Sequence, residues 1–502
     1  MKVVSSEAMA TIDRRAQDEF AISSQLLMED AGLAGWELFV RRACAGRLPR
    51  GPLVFVAGKG NNGGDAMVMA RRALGQGAQD LLIVLAGGLP REGNPAQMLA
   101  ICEAYGTPLL SWPEDREKIL IRLRKASWIL DGIAGTGLRG ALRPPLSDLV
   151  SAVNDARAKK AAIDVPSGVS DSFDASWPAV RADVTLTMGL PKLCLYLPHA
   201  RALCGRVLVV PVGFPPALVN DPSIPGEMLS FTAWRKLAKP VPPDTHKNRR
   251  GHLAVFAGSL GTTGAAWLSA TAAARSRLGL VSLFAGRDVY PILAEKATSV
   301  MVKPWDEPHP PDWGGLDLSQ YTGLLVGPGW GLADGRERWL EHLLTQNLPG
   351  TIDADGITLL SRISKRGRVA LGGRWVLTPH PGEFARISGV SRDDVLRDPV
   401  PHTRELSARL EAVVVLKGHC TIVASPSGSF WIIDGPNAAL ATAGSGDVLA
   451  GLIAAGIAGG LSATEGALFG VSLHACLGRA AWRRLGWFLA EDLVPLISRV
   501  LG

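Results

Sequence analysis

The sequence predicts two α/β domains, each a mostly parallel sheet covered by helices on both faces. Three observations point to this class. Short apolar runs alternate with helical patterns along most of the chain, as βα repeats require. A proline-rich, aperiodic stretch near 211–245 ("PVGFPPALVNDPSIPGEM", "KPVPPDTHKNRRG") interrupts that alternation once. The 502 residues are too many for one hydrophobic core. The implied boundaries are a first domain over 1–220, a linker over 221–240 and a second domain over 241–502.

The elements follow in order. Residues 5–45 read as two helices, the first capped by Ser5 or Ser6, the second carrying the helical apolar spacing of "LLMEDAGLAGWELFV". Strand-like runs come next: "LVFVA", "DLLIVLA", "SWIL", "AAID", "DVTLTM" and "GRVLVV". The pattern restarts at "HLAVFAGS" with a small-residue helix behind it. It continues through "LVSLFAG", "GLLVGPGWG", "GTIDADG", "RWVLTPHPGE" and "AVVVLKG" to a hairpin, "TIVASPSGSFWII".

Composition excludes several classes. With 47% hydrophobic and 20% charged residues the chain is globular, not disordered. A net charge of +7 suits anionic partners in general. Yet Lys and Arg are scattered in short clusters ("KNRRG", "WRRLG"), with no basic tail and no basic–aromatic stripe, so neither nucleic acid nor a membrane is expected as partner. Six dispersed cysteines, without a C-x-x-C pair, argue against zinc and redox chemistry. "MKVVSSEAMATIDRRAQ" lacks the apolar core of a signal peptide, and a cytoplasmic location is expected. The apolar run "AALATAGSGDVLAGLIAAGIAGG" carries Asp447 and many glycines, which suits a buried helix rather than a membrane span.

"GKGNNGGD", 58–65, follows the first strand and opens a helix. Gly58, Gly60 and Gly63 match the G-x-G-x-x-G of dinucleotide sites, whose backbone N–H groups hold phosphate at a helix start. The acidic residue that should end the second strand is missing, and Asp65, placed where an N-cap would be, competes with phosphate for the helix's positive end. A dehydrogenase is therefore disfavoured. Two further strand ends carry Asp131 before the loop 135–140, and Asp164 before Ser167. In an open parallel sheet such loops share one edge, so Asn62, Asp65, Asp131, Asp164 and Ser167 are expected to converge, and their hard oxygens suit an alkali or alkaline-earth cation.

These residues resemble a known family, the epimerases of NAD(P)H-hydrate repair. G-x-G-N-N-G-G-D stands at 58–65, D-x-x-x-G-T-G at 131–137, D-x-P-S-G at 164–168, and the terminal P-K at Pro191–Lys192. The resemblance covers about 1–220 and implies a Rossmann-like doubly wound sheet. It implies that Asn61, Asn62, Gly63, Gly64 and Asp65, with Gly135, Thr136, Gly137, Leu138, Arg139, Gly140 and Ala141, contact the hydrated nucleotide. It further implies that Asp164 meets the reactive end, and that Asn62, Asp131 and Ser167 hold K+. Ala134 replaces a bulkier aromatic that the family often carries.

In the second half, "GSGD" at 444–447 precedes a helical run. Glycine N–H groups there make an anion hole, and Asp447 just behind them can take a proton from a substrate hydroxyl. That logic resembles ribokinase-like phosphotransferases. "LKGHCTIV" follows a strand, with Lys417, Gly418 and Thr421 placed to border a nucleotide; "TPHPGE" fixes His380 between prolines; "GPGWG" brings bare backbone to the same edge. Cations for phosphate are few, so a metal ion is expected. The whole set, with "THKNRRG", "GSLGTTGAA" and "DADG", resembles the dehydratase of the same repair family over about 240–502. Ser445 stands for the Thr of its G-T-G-D, and "DADGITL" lacks the Asn of its D-A-D-A-L-N.

The resemblance implies that Ala265, Gly329, His380 and Asp447 meet the hydrated nucleotide, and that Lys417, Gly418, His419, Cys420, Thr421 and Gly446 border ADP with Mg2+. Both halves then make one function. The first interconverts the R and S epimers of NADHX and NADPHX, and the second dehydrates the S form at the expense of ADP, giving AMP and phosphate. Asp447 and Asp164 are the expected catalytic residues, and a homo-oligomer is expected. The alternative is a ribokinase-like small-molecule kinase with a Rossmann-like binding or scaffold domain.

Overall fold

The computed structural model describes residues 1–305, 316–435 and 437–502. The chain forms two units, Met1–Gly226 and Glu227–Gly502. The first opens with helices α1 (Ser6–Phe20) and α2 (Ser24–Ala43), capped by Ser5 and Ser23. Seven strands follow: β1 (Leu53–Ala57), β2 (Leu81–Ala86), β3 (Leu109–Trp112), β4 (Trp128–Gly132), β5 (Lys159–Ile163), β6 (Val184–Met188) and β7 (Arg206–Val210). They pair in parallel in the order β3-β2-β1-β4-β5-β6-β7, the reversal between β1 and β4 marking a doubly wound sheet of Rossmann type.

Alternation along β1 shows why both faces need cover. Leu53, Phe55 and Ala57 enter a core with Trp36 and Phe39 of α2, while Val54 and Val56 enter a second core with Ile119, Leu149 and Val153. Every residue of β1 is buried, so the strand reads as one apolar run. Helix α3 (Asn61–Gly75) follows β1 directly and packs Met67, Val68 and Met69 into the α2 side.

The second unit is built on a ten-stranded sheet. Its strands are β8 (Gly226–Met228), β9 (His252–Phe256), β10 (Leu280–Gly286), β11 (Met301–Trp305), β12 (Gly323–Val326), β13 (Gly350–Ile352), β14 (Trp375–Leu377), β15 (Val413–Leu416), β16 (Cys420–Ala424) and β17 (Phe430–Asp434). The order is β11-β10-β9-β12-β13-β14-β15-β16-β17-β8. Pairing is parallel from β11 to β15, and β16 and β17 form the expected antiparallel hairpin. The apolar run around Asp447 is the buried helix Ser445–Ala458, and no helix of the described residues is long and apolar enough to cross a membrane.

Three strands escape the sequence reading. β3 and β11 are sheet edges, only partly buried, and β11 contains Lys303 and Pro304, residues that an edge tolerates and a central strand does not. β8 is three residues long and lies inside the proline-rich stretch. That stretch also carries the short helix Trp234–Leu237, whose Trp234 is buried among Phe469, Leu473 and Phe488.

Candidate active sites

The first site lies where the parallel strands of the first unit end. The chain leaves β1 at Ala57, turns through Gly58–Gly60 and enters α3, with Gly60 as N-cap. Asp65 is therefore not the cap that its position suggested but stands a full turn inside the helix. Close packing is the reason. A Cβ on Gly63 would strike the Gly58 carbonyl, one on Gly58 the Ile133 carbonyl, and one on Gly64 the Met28 side chain. Bare backbone lets α3 begin flush against the ends of β1 and β4, its first N–H groups left without a side-chain cap.

Asp131, the penultimate residue of β4, is wholly buried, as is Ser167. Ser167 donates its backbone N–H to Asp131 Oδ2 at 2.8 Å and its hydroxyl to Oδ1 at 2.6 Å, and Ile133 N–H adds a bond of 3.2 Å. Burial still pushes the Asp131 carboxyl up to about 6, against the pull of Ser167 and Ile133. A positive charge beside it would restore the ionised form. Asn62 is 8% exposed, and neither its amide oxygen nor its amide nitrogen has a hydrogen-bond partner. A buried amide left bare is costly unless something outside the protein satisfies it.

Above this layer is a cavity of about 710 Å3. Asn61, Asn62, Asp65, Gly135, Thr136, Gly137, Leu138 and Asp164 line it. Gly63 and Gly64 are buried in the packing of α3, Asp131 and Ser167 are fully buried and outside the cavity lining, and Arg139, Gly140 and Ala141 also lie outside it, Arg139 and Ala141 exposed. Asp164 adopts φ +66, a left-handed conformation rare outside glycine and found at functional loops. Its N–H bonds to Leu186 O at 2.8 Å, and its Oδ1 accepts from Met188 N–H at 3.0 Å and from the ammonium of Lys192. Lys192, 1% exposed, also donates to Met188 O at 2.5 Å. Sequence reasoning singled out Lys192 only as part of a motif and missed Asp13 altogether. Asp13 reaches the cavity from α1, on the stripe Met9, Ala10, Asp13 and Gln17. That helical spacing was the available signal.

The second site gathers at the strand ends of the second unit. Asp353, 1% exposed, accepts from Thr378 Oγ1 at 2.7 Å and from Lys417 Nζ at 2.8 Å. Glu383 lies 3.9 Å from the same ammonium. Burial alone would lower the Lys417 pKa; the charges of Asp353, Glu383 and Asp447 hold it above the ordinary value. Between Asp353 and Asp355, Ala354 takes φ +50 and ψ −115, a strained turn that sends Asp355 to the Gly331 N–H at 2.7 Å. Asp447 sits in the first turn of Ser445–Ala458, behind a Gly444 cap with φ +87. Burial, then the charges of Asp353 and Glu383, push it up to about 7, with Lys417 opposing.

Thr262 Oγ1 donates to Gly329 O at 2.7 Å, and Ala265 N–H to Thr262 O at 3.2 Å, so Ala265 and Gly329 share one corner. His380 is exposed and caps helix Pro381–Ser388, its Nδ1 accepting from Gly382 N–H at 3.0 Å, while its backbone N–H donates to Glu383 Oε2 at 2.9 Å. Glu383 links it to Lys417 and so to Asp447. A cavity of about 750 Å3 is lined by Lys417, Gly418, His419, Thr421 and Gly446. Cys420 turns away, its thiol 3.6 Å from Asp434 Oδ1. Asn437 and His474 are among the lining residues that were not foreseen. Asn437 bonds Gly478 O at 2.9 Å, and His474 Nε2 lies 3.1 Å from Ser445 Oγ. Burial pushes the His474 imidazole down to about 4, so it is neutral near pH 7.

A family described as NAD(P)H-hydrate dehydratase matches residues 253–499, and one described as YjeF-related protein N-terminus matches 24–194. A bifunctional NAD(P)H-hydrate repair enzyme of Moorella thermoacetica is 34% identical, over 100% of this chain and 97% of that protein. One of Coxiella burnetii is 33% identical, over 93% and 95%. A solved ribokinase-like superfamily protein of Enterococcus faecalis V583 is 23% identical over 55% of this chain and 95% of its own, with a TM-score of 0.49.

Proposed function

The chain belongs to the bifunctional NAD(P)H-hydrate repair enzymes, and on that premise we propose how each unit performs its half of the repair. The enzyme is an NAD(P)H-hydrate epimerase and an ADP/ATP-dependent NAD(P)H-hydrate dehydratase. The R and S forms of NADHX or NADPHX enter the cavity beside α3, with the pyrophosphate at the uncapped N–H groups and the hydrated ring toward Asp164. Asn62, Asp131 and Ser167 would hold K+. The donor set fits: a buried amide without a partner, a buried carboxyl above its ordinary range and a hydroxyl, all hard oxygens. When bound, the ion supplies positive charge beside the substrate's phosphates.

In the second unit the nucleotide occupies the cavity bordered by 417–421 and Gly446. Among the described residues no cluster of three or more His, Cys, Asp or Glu stands ready for a metal. Mg2+ would therefore arrive on the nucleotide phosphates, with one or two of the carboxylates as added ligands, and supply charge neutralisation there. Lys417 is committed to Asp353 and Glu383, and it orders that carboxylate wall rather than gripping phosphate by its side chain. Asp447 takes the proton of the C6 hydroxyl as that oxygen attacks the terminal phosphate of ADP, releasing AMP. The phosphorylated hydrate then loses phosphate and a C5 proton, restoring the ring double bond. A phosphate leaves more readily than hydroxide, which is why a phosphotransfer site suits a dehydration.

The position of Asp447 carries this reading: it stands behind glycine N–H groups at a helix start, with a carboxyl poised near neutrality. The test uses purified S-NADHX with ADP or ATP. Asp447→Asn lowers the turnover number by about 100-fold or more in NADH appearance, the scale of a lost general base. Unchanged turnover would remove Asp447 from the chemistry.

A further inference from the structure

The epimerase cavity contains three carboxyls in two different states. Asp164 is tied down by Met188 N–H and Lys192. Asp13, from α1, and Asp65, from α3, line the same cavity, and neither carboxyl has a hydrogen-bond or ion-pair partner among the described residues. Two different helices thus bring two unanchored carboxyls to the place where Asn62, more than nine-tenths buried, offers an unsatisfied amide to a ligand. We propose that Asp13 and Asp65 are the proton-transfer couple of the epimerase, one giving a proton to the departing C6 oxygen while the other takes one from the water that enters at the opposite ring face. The assignment rests on the epimerase reading of the first unit.

The step balances. The protonated carboxyl gives its proton to the C6 hydroxyl. The C6–O bond breaks, its electron pair leaves on water, and the N1 lone pair forms the second bond of a C6=N1 iminium. A water oxygen then donates a lone pair to C6 from the other face, the N1 pair is restored, and the surplus proton passes to the second carboxyl. One water leaves and one enters. The couple ends with its proton on the other member, the state required for the reverse direction. The anionic Asp164 lies in the same cavity while the ring is cationic.

The surroundings favour one shared proton. Burial raises Asp13 to about 6, with Lys192 opposing and Asp164 assisting. Burial, then the charges of Asp164 and Asp13, raises Asp65 well above its ordinary value, again against Lys192. Lys59, from the β1 loop, is the other cation of the lining, and Gln17 is the neutral polar neighbour on α1. Both shifts favour a proton retained within the pair, which titrates as a unit.

The full chain, given one pure NADHX epimer without nucleotide, tests this by chromatographic approach to epimeric equilibrium across pH. The wild type is expected to show a bell-shaped rate whose acid limb lies near 6. Asp13→Asn lowers the turnover number by about 100-fold or more and erases that limb, while KM moves by less than ~3-fold. Asp13→Glu, which keeps the acid, restores roughly a tenth of the rate or more, and its thermal unfolding checks the fold. Heavy-oxygen water labels every inverted product. Wild-type pH behaviour and rate in Asp13→Asn, a loss carried by KM alone, or inverted product that retains its oxygen would each overturn the couple. A wild type that does not epimerise at all would instead contradict the epimerase reading beneath it.

Discussion

Asp447 illustrates how a residue's chemistry is set by its neighbours. Alone it would be a fully ionised, weak base. Withdrawn from water and set beside Asp353, Glu383 and Asp355, its carboxyl rises to about 7 against the pull of Lys417. In the proposed mechanism the carboxylate is the proton acceptor, and its fraction grows as pH rises through the folded pKa. Dehydration of S-NADHX at limiting substrate is therefore expected to climb about tenfold per pH unit below 7 and to level above it. A flat profile from pH 5 to 8 would show that proton removal by this group does not limit the step. Asp447 was legible because glycines precede it in the chain. Asp13 and His474 were not: each stands alone in a helix, and only packing brings Asp13 to Asp65 or His474 to Ser445.

At the level of elements, the start of α3 decides the first site. Asn-Asn-Gly-Gly-Asp has poor helix propensity, which suggested a loop ending at Asp65. Tertiary contact overrides it, because glycine at 58, 63 and 64 lets the helix begin five residues sooner and places Asn62 and Asp65 on the cavity lining. Gly63→Ala would push a methyl into the Gly58 carbonyl and move that first turn. The expected cost is about 1–3 kcal/mol of stability for the first unit, seen by denaturant unfolding, with loss of epimerisation. Wild-type stability and activity would show that the close approach is not needed. Central strands such as β1 and β9 announced themselves by continuous apolar runs. The edge strands β3 and β11 did not, since half-exposed residues carry no such run.

Across the whole molecule, both units use one device: parallel strands ending on a common edge, with function in the loops that follow. That device was readable because each loop carries its own short motif, and the motifs occur in the order of the strands. The rival readings fail at this scale. A kinase with a regulatory domain leaves the Asn62, Asp131 and Asp164 constellation without a purpose, and a scaffold domain needs neither a buried unsatisfied amide nor a strained Asp164. The most direct test follows NADH recovery from a mixed R and S hydrate preparation with ADP, at early times before spontaneous epimerisation contributes. The wild type should recover the whole pool; Asp447→Asn should recover NADH more slowly by about 100-fold or more; Asp164→Asn should stall when the S fraction is spent. Mixing the two variants should restore full recovery. Full recovery by Asp164→Asn alone, or none by the wild type with either ADP or ATP, would contradict the assignment of two repair activities to two sites.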